Sequence, residues 1–248
     1  MTDLKSNVEW KRWGKDDPLW AVASFSDKRR TGATPWTAEE FYSLGESDWQ
    51  DFLLRWRQYG LSTKSCLEIG CGAGRITKQL AGSFERVYAV DVSEEMIDCA
   101  QKAVDAGNVE FSLIDGLHLP QSDCSVKAIF STHVLQHLDS VDIGYSYFRE
   151  LFRVLDVGGT IMIHLPLYQF PGGMIEGLMG CLYATYRQVD NIRSYIKRRL
   201  GVQIWRGTPY PMSSLNLRLS EIGFKNVEFR MFPVKSNGDP HPFVFASK

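Results

Sequence analysis

The sequence predicts an α/β fold in which helices cover both faces of a mostly parallel, seven-stranded sheet. Short apolar runs alternate with segments of helical spacing between residues 65 and 165. A glycine-rich turn directly follows the first apolar run, and two later runs end in Asp91 and Asp115. Strands that alternate with helices form parallel sheets, whose ligands bind at the carboxyl ends of the strands. The turn and both acids are therefore predicted to lie at one edge of the sheet.

The composition is that of an ordinary globular protein. With 248 residues, 44% of them apolar, the chain can form one large domain, or one domain with additions, around a sizeable core. The formal net charge of −1 provides no overall field that would attract nucleic acid or a membrane surface. The partner that we expect is a small molecule rather than a nucleic acid.

The cysteines and the first ten residues bear on where in the cell we expect the protein. The five cysteines contain no C-x-x-C pair and have no histidines at zinc spacing, so we expect reduced thiols, a cytoplasmic location and no metal site. The first ten residues are polar and lack the apolar segment of a signal peptide. No apolar run approaches the roughly 18 residues of a membrane span.

Residues 1–45 are predicted to form an N-terminal arm or lid on a main domain over 46–248. Tryptophans at positions 10, 13, 20 and 36 are spread among charges, glycines and prolines. This density of turn formers argues against a long helix in the arm. The aromatic side chains could pack on the main domain or line an apolar substrate pocket, and the two roles are compatible.

Two helices are predicted before the first strand. Thr37 and Glu40 have the spacing of a capping box, which marks the start of one helix. Ser47 or Asp48 could cap a second helix over 48–59, whose apolar residues recur at helical spacing.

The central motif begins with a strand over 65–69, followed by glycines at positions 70, 72 and 74 and by a helix over 73–81. This geometry places backbone N–H groups and a positive helix end beside a ligand, and glycine permits the close approach. Arg75 occupies the position of the last glycine in the dinucleotide fingerprint G-x-G-x-x-G, which disfavours a nicotinamide cofactor. Asp91, at the end of the strand over 86–91, is placed to accept hydrogen bonds from two ribose hydroxyls.

These features together resemble the class I S-adenosyl-L-methionine (SAM)-dependent methyltransferases, in particular the small-molecule, type 11/12-like group with an E-x-G-x-G-x-G signature. The resemblance covers about residues 60–165 and 211–247. It implies SAM as the cofactor and a Rossmann-like, doubly wound sheet, closed by antiparallel strands over 224–232 and 242–247. By the same resemblance, the cofactor-binding residues are Glu68, Gly70, Cys71, Gly72, Gly74, Arg75, Asp91, Val92, Met96, Asp115, Gly116, Leu117, Ser131 and Thr132. Asp115 would accept a hydrogen bond from the adenine amino group.

The segment after the fourth strand carries the candidate for proton transfer. It reads S-T-H-V over 131–134 and lacks an N-P-P-Y-type tetrad, which counts against methylation of amide nitrogens and nucleic-acid bases. His133 is the candidate general base, because an imidazole that titrates near neutral pH can take a proton from a hydroxyl. It could also line the ligand site without proton transfer, or only pack. His137 and His164 are expected to be structural.

An insertion is predicted over 166–211, where it would cap the acceptor site and could support a homodimer. Basic residues within 191–200 could bind an anionic acceptor or form a solvated helix face.

The predicted function is transfer of a methyl group from SAM to a small-molecule acceptor, with a hydroxyl oxygen as the first choice. Such an in-line displacement mostly needs proximity and alignment of the two reacting groups. The alternatives are a methyltransferase that acts on protein or tRNA, and a SAM-binding module without catalysis.

Overall fold

The computed structural model describes residues 4–169, 207–234, 238 and 240–248. Its main sheet has seven strands in the order β3-β2-β1-β4-β5-β9-β8, and a separate parallel pair joins β6 to β7. The strands are β1 Ser65–Ile69, β2 Arg86–Asp91, β3 Val109–Leu113, β4 Val126–Ser131, β5 Leu155–His164, β6 Leu167–Tyr168, β7 Tyr210–Pro211, β8 Lys225–Pro233 and β9 Pro240–Ser247. Strands β1 to β5 pair in parallel, whereas β9 is antiparallel to both of its neighbours. The predicted fold class is confirmed.

The described helices surround this sheet. They are α1 Lys5–Asp16, α2 Pro18–Val22, α3 Ala38–Tyr59, α4 Thr77–Ala81, α5 Glu94–Ala103, α6 Val141–Val154 and α7 Met212–Ile222, and a 3₁₀ segment covers Leu135–His137. In the described part of the chain, no helix combines the length and the apolar character that crossing a bilayer requires.

The prediction that the arm lacks a long helix is wrong, because α1 extends over 12 residues. Gly14 does not end this helix. A Cβ at position 14 would collide with the Ser93 hydroxyl and come within 3.4 Å of Met96 Cγ, so the glycine lets α1 pack closely on α5. Pro18 starts α2 at its first turn, where a missing N–H costs nothing. These turn formers therefore serve packing and helix initiation within the arm.

The two helices predicted before β1 are one continuous helix, α3. Its start is as predicted: Thr37 Oγ1 accepts from Glu40 N–H, and the Glu40 carboxylate accepts from Thr37 N–H. Asp48 caps nothing and lies inside the helix, where it forms a buried ion pair with Arg75. The acid that indicated a second helix start is thus explained by a tertiary contact.

The core divides into two main clusters on opposite sides of the sheet. Side chains alternate between the faces of a strand, so that Leu67 and Ile69 join the cluster that α6 and α7 cover. Cys66 faces the other way, toward Trp49 and Trp56 of α3. Trp56 is fully buried, and its Nε1–H donates to Thr160 Oγ1 across 2.9 Å, which ties α3 to β5.

Most of the predicted insertion, 170–206, lies outside the described residues, as do its predicted roles as a cap and in a homodimer. Its two ends are described. Tyr210 N–H donates to Pro166 O, and the buried Tyr210 hydroxyl donates to Leu135 O over 3.1 Å. Thr208 Oγ1 donates to Leu138 O over 3.1 Å. Both ends of the insertion therefore meet beside the 3₁₀ segment.

Candidate active site

A cavity of about 440 Å³ lies at the carboxyl ends of β1, β2 and β4. Its wall comprises the glycine turn, the residues after β2 and β4, the 3₁₀ segment and the arm. The volume lies within the range of about 300 to 1,000 Å³ that is usual for small-molecule sites. The position is where ligands bind in doubly wound sheets.

The glycine turn requires glycine for its backbone and for its contacts. Gly70 and Gly72 have φ values of 70° and 52°, a region that other residues rarely adopt. A Cβ at Gly70 would collide with Val134, and one at Gly72 would lie 2.7 Å from Val22 Cγ2. Helix α4 begins at Thr77, four residues later than predicted, so the turn itself and not a helix end faces the cavity.

Asp91 lies in the cavity wall at the end of β2. Its Oδ2 accepts from Gly72 N–H over 2.9 Å, and its Oδ1 accepts from Ser93 N–H over 3.0 Å. Burial raises the pKa of Asp91, and these two N–H groups oppose the rise. Because a carboxylate has about four acceptor positions, both oxygens keep lone pairs for a ligand.

The structure separates the predicted cofactor residues into two groups. The members that line the cavity are Gly70, Gly72, Arg75, Asp91, Val92, Gly116 and Thr132. In the described part of the chain, the members outside its wall are Glu68, Cys71, Gly74, Met96, Asp115, Leu117 and Ser131. Half of the set that the resemblance implies therefore lies in the cavity wall.

The residues outside the wall have contacts of their own. Glu68 lies behind the turn, where its carboxylate accepts from Thr77 Oγ1 over 2.6 Å and burial raises its pKa to about 8. Met96 packs with tryptophans of the arm, and Ser131 Oγ donates to Ile69 O. Glu68 and Ser131 thus brace the strand ends that hold the turn.

Asp115 lies outside the cavity wall and organises its own loop. Its Oδ1 accepts from the N–H groups of Leu117 and His118, both over 2.8 Å, and its Oδ2 contacts His118 Nδ1. Partial burial would raise the pKa of Asp115, but His118 and the N–H groups outweigh burial and hold it at about 2. Its backbone oxygen accepts from Asn7 Nδ2 of α1 over 2.7 Å, and the loop thereby anchors the arm.

Unpaired polar atoms concentrate in the cavity-lining residues. Four buried side-chain polar atoms lack a hydrogen-bond partner among the described residues. Three of the four, Ser6 Oγ, Arg75 Nε and Thr132 Oγ1, belong to residues of the wall. Buried polar groups are normally satisfied, so this concentration fits a cavity that holds a polar ligand.

The arm forms part of the cavity wall. Asp139 accepts from the N–H groups of Lys5 and Ser6, over 2.9 and 3.0 Å, and so caps α1, whose own residue Leu4 offers no capping side chain. Trp10 packs edge-on against His137, with ring centroids 5.1 Å apart. Sequence patterns could not reveal these contacts, because Lys5 and Asp139 are 134 positions apart.

His133 lines the cavity with a backbone φ of 58°. Burial, and then the neighbouring His241, lower the pKa of His133 to about 3. A neutral imidazole with so low a pKa is a weak proton acceptor at neutral pH, which argues against His133 as the general base. It remains a hydrogen-bonding residue of the wall.

His133 also brings two further histidines together, although sequence spacing showed no metal-ligand set. Its N–H donates to His164 Nδ1 over 3.4 Å, and His164 Nε2 lies 3.2 Å from His241 Nδ1. His164 is 3% exposed and lies outside the cavity wall.

The fold is Rossmann-like and carries a cavity of small-molecule size at the ends of β1, β2 and β4. Residues 67–163 match the protein family described as "Methyltransferase domain". Over this part, the chain is similar to SAM-dependent methyltransferases.

Several curated proteins share part of this sequence. A malonyl-(acyl-carrier protein) O-methyltransferase of Yersinia pestis is 28% identical over 71% of this chain and 61% of its own length. The biotin biosynthesis bifunctional protein of Cellvibrio japonicus is 34% identical over 50% of this chain and 22% of its own length. An O-methyltransferase of Penicillium expansum is 31% identical over 29% of this chain and 28% of its own. The chain spans less than two thirds of the length of these relatives.

Solved structures share the whole fold at low identity. The N-methyltransferase NodS of Bradyrhizobium japonicum, in complex with S-adenosyl-L-homocysteine (SAH), has a TM-score of 0.60 and 17% identity over 98% of both chains. The magnesium protoporphyrin IX methyltransferase of Synechocystis, with bound SAH, has a TM-score of 0.62 and 15% identity over 98% of this chain and 97% of that chain. At this identity the likeness concerns the fold alone.

The cavity fits the cofactor of this family, SAM. Gly70 and Gly72 bring their backbone to the cavity wall, Asp91 offers carboxylate lone pairs, and Thr132 Oγ1 offers an unpaired hydroxyl. Gly116 lies against Asn7, so the arm forms part of the same wall.

Proposed function

We propose that this chain transfers the methyl group of SAM to an oxygen atom of a small molecule held in the cavity. The observation that carries the proposal is that one cavity is lined both by the glycine turn with Asp91 and by a second group of residues after β4. A cofactor and an acceptor can therefore meet in one space. O-methyltransferases among the relatives support oxygen as the atom methylated.

The proposed mechanism depends on alignment. SAM supplies an activated methyl group whose sulfur is already a good leaving group. The residues of the chain then have to hold the two reacting groups in line, which can lower the barrier by several kcal/mol through lost translational freedom alone. Asp91 would hold the ribose hydroxyls, and the backbone of the glycine turn would lie against the rest of the cofactor. The arm would exclude water from the reacting atoms.

The acceptor would lie against the 3₁₀ segment, where Gln136 and His137 line the cavity. Gln136 Nε2 and His137 Nε2 are 3.1 Å apart, within hydrogen-bond distance. His133 stands beside them as a neutral imidazole. These groups can orient an acceptor oxygen by hydrogen bonds, and the low pKa of His133 favours positioning over proton removal.

The closed arm favours a small acceptor over a macromolecule. Trp10, Val22 and Phe25 of the arm line the cavity, and Asn7 and Asp139 fasten its helix across the opening. The arm leaves a cavity of about 440 Å³, which suits a small molecule better than the surface of a folded protein or a tRNA. A second candidate acceptor is an acyl chain on a carrier protein, which the names of the malonyl-(acyl-carrier protein) relatives favour.

The first experiment is a calorimetric titration of SAM, SAH and NADH into the purified chain. We expect the two adenosyl ligands to bind and NADH to give no signal, because Arg75 lies where a dinucleotide turn has glycine. Methyl transfer to a panel of hydroxyl and carboxyl acceptors would follow, read out as SAH formed. Binding of NADH in place of SAM would refute the proposed cofactor site, and SAM binding without any transfer would favour the non-catalytic alternative.

We expect Asp139→Asn to accelerate the release of SAH severalfold. Both carboxylate oxygens of Asp139 accept N–H bonds at the start of α1, and Asn keeps only one acceptor oxygen, so the substitution removes one hydrogen bond to a charged group, worth about 1.5–3 kcal/mol. The arm should then open more often, which stopped-flow tryptophan fluorescence can measure. Asp142→Asn is the matched control, because Asp142 is an exposed acid three residues away. Equal release rates in both variants would show that the arm does not gate the cavity.

A further inference from the structure

Three histidines from three elements form one cluster at the edge of the cavity. His133 follows β4, His164 ends β5, and His241 lies near the start of β9. One ring nitrogen of each lies within 4.8 Å of those of the other two. The ring centroids are 4.2 Å apart for His133 and His164, and 4.9 Å apart for His133 and His241. Such a convergence is a geometric requirement of a metal site.

The sheet itself holds this arrangement in place. Strand β5 lies between β4 and β9, with Ser131 paired to Ile163 and His164 paired to Phe243. His133 adopts a left-handed backbone conformation, which costs a non-glycine residue about 1 kcal/mol or more. Strain of this kind is found at ligand sites, where the surrounding structure enforces it.

We propose that His133, His164 and His241 bind a divalent transition-metal ion, with Zn²⁺ as the best match. The cluster offers three imidazole nitrogens and no carboxylate, a donor set that suits Zn²⁺ and disfavours Mg²⁺ and Ca²⁺. The ion would take the place of the proton that His164 and His241 now share across 3.2 Å. His164 would then carry its proton on Nδ1 and give up the long contact with His133 N–H.

The ion would lie at the wall of the cavity, because His133 is both a ligand and a lining residue. Three histidine ligands leave one position of a tetrahedral zinc site open. An acceptor hydroxyl, carboxyl or thiol could take that position and lose its proton more easily. This consequence rests on the proposed methyl transfer, whereas binding of the ion does not.

The test uses the full chain without a histidine tag, stripped with a chelator and then dialysed. Zn²⁺ is titrated in competition with a chromophoric chelator, and Co²⁺ is titrated separately and followed by visible absorption. We expect one ion per chain and the intense visible bands of tetrahedral Co²⁺. His164→Gln and His241→Gln should each weaken zinc binding at least about 100-fold, since loss of a supporting residue alone costs 10- to 100-fold. His118→Gln, at an exposed histidine outside the cluster, is the matched control and should bind as the wild type does.

SAH affinity is measured on every variant to separate the two proposals. Intact SAH binding with lost zinc binding supports the site, because the fold is then preserved. If His164→Gln loses both zinc binding and SAH binding, its fold is in doubt. The metal site is then judged from His241→Gln and from the Co²⁺ spectrum of the wild type. Absence of Co²⁺ bands, or equal zinc affinity in the cluster variants and the control, overturns the metal site and leaves the methyl-transfer proposal untouched. Failure of SAH binding alone leaves the zinc result standing.

Discussion

Asp91→Ala should weaken SAH binding at least about 100-fold in calorimetry. The carboxylate lies in the cavity wall with both oxygens able to accept further hydrogen bonds. Two bonds from ribose hydroxyls to a charged acceptor contribute about 1.5–3 kcal/mol each, and the substitution would remove both. The variant would also lose the bond from Gly72 N–H, which helps to fix the glycine turn. Asp91→Asn, which keeps one acceptor oxygen, should bind with intermediate affinity.

Asp115→Ala is the informative comparison for this prediction. The sequence motif assigns both acids to the cofactor, whereas the structure places only Asp91 in the wall of the cavity. The Asp115 side chain is about half exposed and bonds to its own loop, so we expect a loss of affinity below about tenfold. Equal losses in the two variants would contradict the geometry and restore Asp115 as a direct ligand of adenine. Undiminished binding by Asp91→Ala would refute the ribose assignment.

Prediction from the sequence was most accurate where local chemistry determines structure. The strands over 65–69 and 86–91 were predicted at the observed bounds, because central parallel strands are buried on both faces and appear as apolar runs. Glycines 70 and 72 were predicted for their backbone, and both adopt positive φ. These features depend on a few adjacent residues, and so the sequence reveals them.

Features that depend on distant contacts could not be predicted. Gly14 indicated a break, yet it allows α1 to pack on α5. Asp48 indicated a helix start, yet it pairs with Arg75, 27 positions away. The histidine cluster joins residues that are 31 and 77 positions apart, far from any zinc-ligand spacing. In each case the residue type was informative, but its partner became known only through the fold.

The arm and the sheet would serve the two proposed ligands differently. The glycine turn and Asp91 belong to the sheet edge, whereas Asn7 and Trp10 belong to α1, which packs on α5 at Gly14 and is capped by Asp139. Under the proposed function, the sheet edge would hold the cofactor and the arm would line the rest of the cavity.

Asp48→Ala should lower the free energy of unfolding by about 3–5 kcal/mol, the cost of leaving one member of a buried ion pair alone. Asp48 Oδ2 and Arg75 Nη1 are 2.6 Å apart, and the side chains are 1% and 8% exposed. A Cβ at Gly45 would collide with the Arg75 backbone, so α3 packs directly on the turn that carries Arg75. Urea denaturation followed by circular dichroism measures the loss, which should appear as a lower midpoint at an unchanged slope.

The matched control is Glu46→Ala, an exposed acid on the same helix, which should change stability by no more than about 0.5 kcal/mol. Because Arg75 also lines the cavity, Asp48→Ala should weaken SAH binding as well, even under conditions where the variant is folded. Equal stabilities of Asp48→Ala and Glu46→Ala would mean that Arg75 reaches solvent when its partner is removed. If Asp48→Ala is destabilised but binds SAH with full affinity, the ion pair only holds α3 on the turn after β1. It would then have no role in the shape of the cavity.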